Sequence, residues 1–80
     1  MGSTFKNPEG TFAAQLISDA GLKEFRVGDA QVAFKHPNFI INLGNAKFSD
    51  VMEVIAHVKK VVSEKFNVNL ETEIIILKNN

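Results

Sequence analysis

The hydrophobic pattern divides the 80-residue chain into six predicted elements. Apolar residues recur every three to four positions in two stretches, which predicts helices. In four other stretches they alternate or cluster between turn residues, which predicts strands. The predicted strands cover residues 3–6, 25–34, 39–43 and 70–77, and the predicted helices cover residues 13–20 and 50–64.

The first predicted helix has one apolar stripe, made of Ala13, Leu16, Ile17 and Ala20. Thr11 offers a cap at its start. Gly21 can adopt the left-handed backbone that ends a helix, and Leu22 can add the accompanying hydrophobic contact.

The second predicted helix depends on burial, because β-branched residues form isolated helices poorly. Ser49 is its predicted cap, and Asp50 and Glu53 lie favourably near the positive end of its dipole. His57 follows Glu53 by four residues, so a pair on the helix surface is expected. The apolar stripe comprises Val51, Val54, Ile55, Val58, Val61 and Val62.

The strand predicted at residues 25–34 changes the parity of its apolar positions at Gly28-Asp29. A bulge or a tight turn there would return both halves to the same core face. The last strand, residues 70–77, alternates at first and then becomes apolar on both sides. That change indicates either that other elements pack on both faces of the strand or that a site lies beside it.

The element order is β-α-β-β-α-β, which favours an α+β fold in one domain spanning residues 1–80. Two helices on one face of a largely antiparallel sheet would bury all the stripes in a two-layer sandwich. A ferredoxin-like arrangement uses the same order, and spacing alone does not distinguish it from other windings.

The composition argues against several classes of function. Nine basic and nine acidic residues balance, and Trp and Tyr are absent, so neither nucleic acid nor an anionic membrane surface is an expected partner. The absence of cysteine excludes disulfides and thiolate metal sites, and the two histidines lack metal-ligand spacing. No apolar run approaches the ~20 residues of a membrane span, so a cytoplasmic protein is expected.

The residues with candidate chemistry lie near the ends of predicted strands. Ser3, Lys6 and Asn7 group a hydroxyl, an ammonium and an amide that could grip a phosphate, or they are an ordinary solvated strand end. Glu73 stands in a strand, where carboxylates are depleted. It is either a partly desolvated acid or a residue on the wet side of an edge strand. His36 either contacts an anionic ligand or faces water.

Four segments carry recognisable motifs. Residues 2–8 read G-S-T-F-K-N-P, residues 28–32 read G-D-A-Q-V, residues 35–42 read K-H-P-N-F-I-I-N, and residues 70–73 read L-E-T-E. In this order they resemble the motifs of the MurB-type UDP-N-acetylenolpyruvoylglucosamine reductases, in their C-terminal substrate-binding domain. The resemblance covers essentially the whole chain.

That resemblance implies a defined reaction. The family reduces the enolpyruvyl ether of UDP-N-acetylglucosamine to the lactyl ether of UDP-N-acetylmuramate, in peptidoglycan precursor synthesis. Hydride transfer to the methylene carbon leaves a carbanion beside a carboxylate, which needs a proton donor. By resemblance, Ser3 donates that proton, Glu73 is a catalytic glutamate beside the same centre, and Asn7 contacts the substrate. Lys6 and His36 are implied neighbours of the substrate.

The cofactors of the family are FAD and NADPH, and they belong to a region that precedes the G-S motif. The resemblance therefore implies no cofactor on this chain, a missing FAD-binding domain as its partner, and no turnover by the isolated chain. An alternative is a non-catalytic interaction or oligomerisation module that keeps the family fold. Such a module would associate through exposed apolar residues such as Phe34, Ile75 and Leu77.

Overall fold

A computed structural model of the chain describes residues 3–73. The elements in chain order are α1 (Ala13–Asp19), β1 (Arg26–Val27), β2 (Ala30–Val32), β3 (Ile40–Asn42) and α2 (Phe48–Phe66). Two helices and an antiparallel sheet confirm the predicted α+β class. Helix α2 packs against β1 and β2, and α1 packs beside α2.

The three strands form one antiparallel sheet in the order β1-β2-β3. Of the two alternatives at Gly28-Asp29, the tight turn is confirmed, because these residues are the two-residue turn of a hairpin in which Val27 pairs with Ala30. Residues 25–34 therefore contain two strands, and three strands instead of the predicted two lie between α1 and α2. Gly28 has φ +56°, and Asp29 does not have a positive φ, which fits a type II′ turn with glycine at its first central position. The turn lets β1 and β2 both face α2.

Helix α1 ends as its sequence predicts. Gly21 has φ +77° and donates to the carbonyl of Ser18 at 3.0 Å, while Leu22 donates to the carbonyl of Ile17 at 3.2 Å. This pair of hydrogen bonds is a Schellman motif, and the buried Leu22 supplies its hydrophobic contact.

The start of α1 differs from the prediction. Thr11 was the expected cap, but Phe12 occupies the N-cap position and its side chain offers no acceptor. Instead, Oδ1 of Asn7 accepts a hydrogen bond from the backbone N–H of Ala13 at 2.9 Å. A side chain six residues upstream therefore satisfies the first helical N–H.

Helix α2 begins before the predicted cap, so Ser49 lies within its first turn. Lys47 occupies the N-cap position, and its backbone N–H donates to Oδ2 of Asp50 at 3.1 Å. The placement of Asp50 in the first turn agrees with the dipole argument. The helix ends at Phe66, where Asn67 adopts a left-handed backbone with φ +57°.

The prediction that His57 pairs with Glu53 on the helix surface was also wrong. The His57 ring stacks on the ring of Phe25, with centroids 4.1 Å apart and an interplanar angle of 14°. Phe25 lies just before β1 and is partly buried against the core. His57 therefore contacts this ring and not the Glu53 side chain on its own helix.

The beginning and end of the described chain lie side by side. Phe5 and Thr72 form an antiparallel bridge, flanked by a hydrogen bond from Lys6 N to Glu71 O at 2.8 Å. The strands predicted at residues 3–6 and 70–77 are thus represented by one isolated bridge, and residues 74–77 lie outside the described part. Phe5 is 2% exposed, so this pairing sits directly on the core.

The core joins residues from both helices, the hairpin and the paired ends. On α2, Val54, Ile55, Val58 and Val62 are buried, which confirms the central part of the predicted stripe. The remaining buried apolar residues are Phe5, Ala13, Leu16, Ile17, Ala20, Leu22, Ala30, Val32 and Leu70.

Candidate functional site

An open groove of about 290 Å³ lies between the start of the described chain, the segment before α1, and the turn before β3. Three of the residues singled out from the sequence, Ser3, Asn7 and His36, line it together. Its other lining residues are Phe12, Ala14, Lys35, Pro37, Asn38 and Phe39. Segments far apart in sequence therefore contribute to one surface.

The Asn7 side chain is fixed in a defined orientation. Because its Oδ1 accepts from Ala13 N, its Nδ2 group is the part left to donate. The same hydrogen bond ties the residue to the start of α1. The carboxamide at the groove is thus a hydrogen-bond donor, which suits an anionic or carbonyl acceptor on a ligand.

His36 opens the turn that leads into β3. Its carbonyl accepts from Phe39 N at 2.8 Å, and its ring lies 5.5 Å from the Phe39 ring. The side chain is exposed, as is that of neighbouring Lys35. These two side chains put nitrogen donors along one wall, and no carboxylate lines the groove within residues 3–73.

Ser3 is exposed at the groove, and the residues directly after it are held firmly. The backbone N–H of Thr4 donates to the carbonyl of Asn38 at 2.7 Å. Phe5 N donates to Oδ1 of Asn38 at 2.9 Å. The position of the serine therefore depends on a main chain anchored to the other wall of the groove.

Lys6 and Glu73 do not line this groove. Both side chains are exposed, so of the two alternatives for Glu73 the described chain shows the solvent-facing carboxylate. The Glu73 backbone is close to the site, since its N–H donates to Thr4 O at 2.9 Å. In the ladder set by Phe5 and Thr72, Thr4 and Glu73 form the next pair and project away from the core.

Asn38 and Phe12 are among the groove residues that were not singled out from the sequence. Asn38 stood in the sequence only as one letter of the motif at residues 35–42, yet it is 7% exposed and makes three hydrogen bonds to Thr4 and Phe5. Phe12 is 67% exposed and contributes an aromatic ring to the groove lining. The sequence feature that could have indicated Asn38 is a short amide side chain placed between Pro37 and the apolar residues of the next strand.

Within residues 3–73, no group of three or more His, Asp or Glu side chains is placed to hold a metal ion. Neither helix in this part of the chain is long and apolar enough to cross a bilayer.

The fold is a small α+β arrangement with an open groove beside its paired ends, lined by both polar and apolar side chains. The family model described as "UDP-N-acetylenolpyruvoylglucosamine reductase, C-terminal domain" matches residues 1–77. The chain therefore belongs to the UDP-N-acetylenolpyruvoylglucosamine reductase family and corresponds to its C-terminal domain.

Relatives and a solved structure agree with this family. The chain is 60% identical over 78 residues to the UDP-N-acetylenolpyruvoylglucosamine reductase of Fusobacterium nucleatum, covering 98% of this chain and 28% of that protein. The Clostridium novyi enzyme of the same name is 58% identical over 76 residues, covering 95% and 25%. A crystal structure of the Thermus caldophilus reductase matches with a TM-score of 0.73 and 46% identity, covering 90% of this chain and 26% of that one. The chain thus spans about a quarter of these relatives.

Proposed function

We propose that the chain is the substrate-binding and proton-donating part of a reductase that converts UDP-N-acetylglucosamine enolpyruvate to UDP-N-acetylmuramate in the cytoplasm, for peptidoglycan precursor synthesis. The observation that carries the proposal is the convergence of Ser3, Asn7 and His36 on one groove. Those residues were assigned to the substrate site by their motifs, and they come from separate segments of the chain.

The groove wall suits the anionic groups of such a substrate. Asn7 presents amide donors, and Lys35 and His36 present nitrogen groups from a different segment of the chain. Hydrogen bonds to phosphate or carboxylate oxygens are stronger than neutral ones, so a few donors are sufficient to orient the substrate. Lys6, which is exposed outside the groove lining, is proposed to meet the more distant part of the substrate.

The proposed chemical role of Ser3 is a proton transfer. A hydride added to the methylene carbon of the enolpyruvyl group leaves an electron pair on the adjacent carbon. The Ser3 Oγ–H bond breaks, its proton forms the new C–H bond, and solvent restores the proton on oxygen. A poor acid can serve here because the acceptor is strongly basic. Glu73 is proposed to act beside this centre once the rest of the reductase covers the paired ends.

FAD and NADPH are proposed to bind the part of the reductase outside this chain. They supply the hydride when bound. At about 290 Å³ the groove lies at the small end of ligand pockets, so it can enclose part of a nucleotide sugar but not a flavin dinucleotide as well. We therefore propose that the isolated chain binds the substrate weakly and does not turn it over.

Substrate binding can be tested on the 80-residue chain by NMR titration with UDP-N-acetylglucosamine. The expected result is a shift of the amide signals of Ser3, Asn7 and His36, with little change at Asn69, an exposed residue outside the groove. Shifts confined to residues outside the groove would contradict the proposal.

Proton donation requires the rest of the reductase. The matching 78-residue segment of the Fusobacterium nucleatum enzyme can be replaced by this chain, since the two are 60% identical there. We expect this chimera to reduce the enolpyruvyl substrate and its Ser3→Ala version to lose turnover by about 100-fold or more. Full turnover by the Ser3→Ala chimera would remove the serine from the mechanism.

A second proposal is a non-catalytic module that associates through apolar surface. The observation in its favour is the exposure of large side chains, including Phe34 at 57% and Phe48 at 55%. Ile75 and Leu77, also expected on that surface, lie outside the described residues. Sedimentation tests it: a tight dimer that a Phe34→Ser change disrupts favours association, and a monomer at high concentration opposes it.

A further inference from the structure

The carboxamide of Asn38 pairs with the backbone of Phe5 in the way that one peptide group pairs with another. Its Oδ1 accepts from Phe5 N at 2.9 Å, and its Nδ2 donates to Phe5 O at 2.9 Å. Its own backbone carbonyl accepts from Thr4 N at 2.7 Å. One residue thus makes three hydrogen bonds to the two residues that follow Ser3.

These hydrogen bonds are sheltered from water. Asn38 is 7% exposed and Phe5 is 2% exposed, so the amide pairing is almost entirely buried. Loss of one partner would leave buried donors and acceptors unsatisfied. The pairing therefore gives the start of the chain one defined position over the turn before β3.

Burial of the Phe5 ring does not by itself fix that position. Hydrophobic contact holds the ring in the core, but it has no directional preference. Hydrogen bonds have narrow limits on distance and angle, so the pairing with Asn38 determines the direction in which the main chain leaves Phe5 toward Ser3. The bridge to Thr72 fixes the opposite edge of the same segment.

We propose that Asn38 is a positioning residue for Ser3. It holds the Thr4–Phe5 backbone so that the serine hydroxyl stays at the groove, and it does so without transferring a proton itself. The inference rests on the proposed function, because it assigns Asn38 to the same site. A proton donor displaced by ~1 Å can lose about 100-fold in rate, so the effect should fall on turnover.

The test uses the Fusobacterium chimera with three changes in this segment. Asn38→Ala removes both side-chain hydrogen bonds, and Asn38→Asp keeps the acceptor for Phe5 N but removes the donor to Phe5 O. Val54→Ala is the control, because it opens a cavity in the core at a residue outside the groove. Each variant is assayed for kcat and KM below its own melting temperature.

The expected result is a loss of kcat of about 10- to 100-fold in Asn38→Ala, with KM changed less than about threefold. Asn38→Asp should lie between this variant and the unsubstituted chimera, and Val54→Ala should keep its kcat. Amide hydrogen exchange on the 80-residue chain should show faster exchange at Thr4 and Phe5 in Asn38→Ala than in Val54→Ala.

Other outcomes separate the two proposals. An unchanged kcat in Asn38→Ala, or an equal loss in Val54→Ala, overturns the positioning role even if Ser3→Ala is inactive. If Asn38→Ala does not fold, the kcat of Asn38→Asp decides, and a value equal to the unsubstituted chimera counts against the inference. If Ser3→Ala is fully active, or the unsubstituted chimera binds its flavin but is inactive, the proposed function fails and this inference fails with it.

Discussion

The backbone N–H of Glu73 donates to the carbonyl oxygen of Thr4 across 2.9 Å, while the Glu73 side chain is exposed to solvent. Its main chain and its carboxylate therefore have separate roles. The main chain joins the two ends of the described chain beside Ser3. Within residues 3–73 the carboxylate makes no hydrogen bond or ion pair, and its role in the reaction is the one proposed above.

The two roles of Glu73 can be separated by substitution. Glu73→Gln should leave the free energy of unfolding within about 0.5 kcal/mol, because an exposed side chain changes and the N–H remains. Glu73→Pro removes the N–H and should lower the free energy of unfolding by about 1 kcal/mol. Urea denaturation of the 80-residue chain measures both. A destabilised Glu73→Gln chain would show that the carboxylate has a structural contact.

Asn7 offers a similar separation between stability and ligand binding. Asn7→Asp keeps an acceptor for Ala13 N and adds favourable charge near the start of α1, so the free energy of unfolding should not fall. It replaces the amide donors with a carboxylate, so binding of UDP-N-acetylglucosamine should be lost. NMR titration and thermal unfolding of the same sample check the two expectations.

Asn7→Ala is the matched variant for this position. It should also lose binding, but it should lower the free energy of unfolding by about 1 kcal/mol because the Ala13 N–H loses its partner. Equal stability of the Ala and Asp variants would mean that the hydrogen bond to Ala13 contributes nothing measurable.

Replacement by alanine should destabilise the chain more at Gly28 than at Gly21. It has φ +56°, and an added Cβ would meet the Asp50 carboxylate, with Cγ at 2.7 Å. Gly21 has φ +77° with nothing within 4 Å of an added Cβ, so Gly21→Ala measures the left-handed strain alone, about 1–2 kcal/mol. Gly28→Ala should cost more, because Asp50 must move away from the N–H of Lys47. Denaturant unfolding of both variants gives the difference.

The stacking of His57 on Phe25 should contribute measurably to stability. Serine and histidine have similar helix propensities, so His57→Ser tests the contact with little change in the helix itself. The free energy of unfolding should fall by about 1 kcal/mol, whereas His57→Phe should retain most of it. Lys60→Ser, at an exposed position of the same helix, is the control. Lysine has a higher helix propensity than serine, so a loss in His57→Ser no larger than the loss in Lys60→Ser would leave the stacking without a measurable contribution.

The helices were largely predictable because their sequence patterns agree with the side chains that are buried. Gly21 and Leu22 marked the end of α1, and the valine stripe of α2 faces the core. Prediction failed where a tertiary contact replaced a local one. Asn7 caps α1 from outside the helix in place of Thr11, and His57 contacts Phe25 instead of its helical neighbour Glu53. Sequence spacing carries no information about such partners.

The candidate site was predictable in part and only through motifs. Composition and periodicity left Ser3, Asn7 and His36 as polar residues at strand ends, and the structure brings these three to one groove. Asn38 escaped notice because an Asn in a turn is common, and only the fold shows that its amide is buried against Phe5. The roles of Lys6 and Glu73 stay predictions, since their side chains lie outside the groove lining.

The amide of Asn38 recognises peptide atoms rather than a particular side chain. The hydrogen bond from Thr4 N to the Asn38 carbonyl therefore places little constraint on the side chain at position 4. Thr4 could be exchanged for other residues while the segment keeps its hydrogen bonds. Phe5 differs, since its ring is enclosed by the core as well. Variation among natural sequences should consequently be greater at position 4 than at position 5.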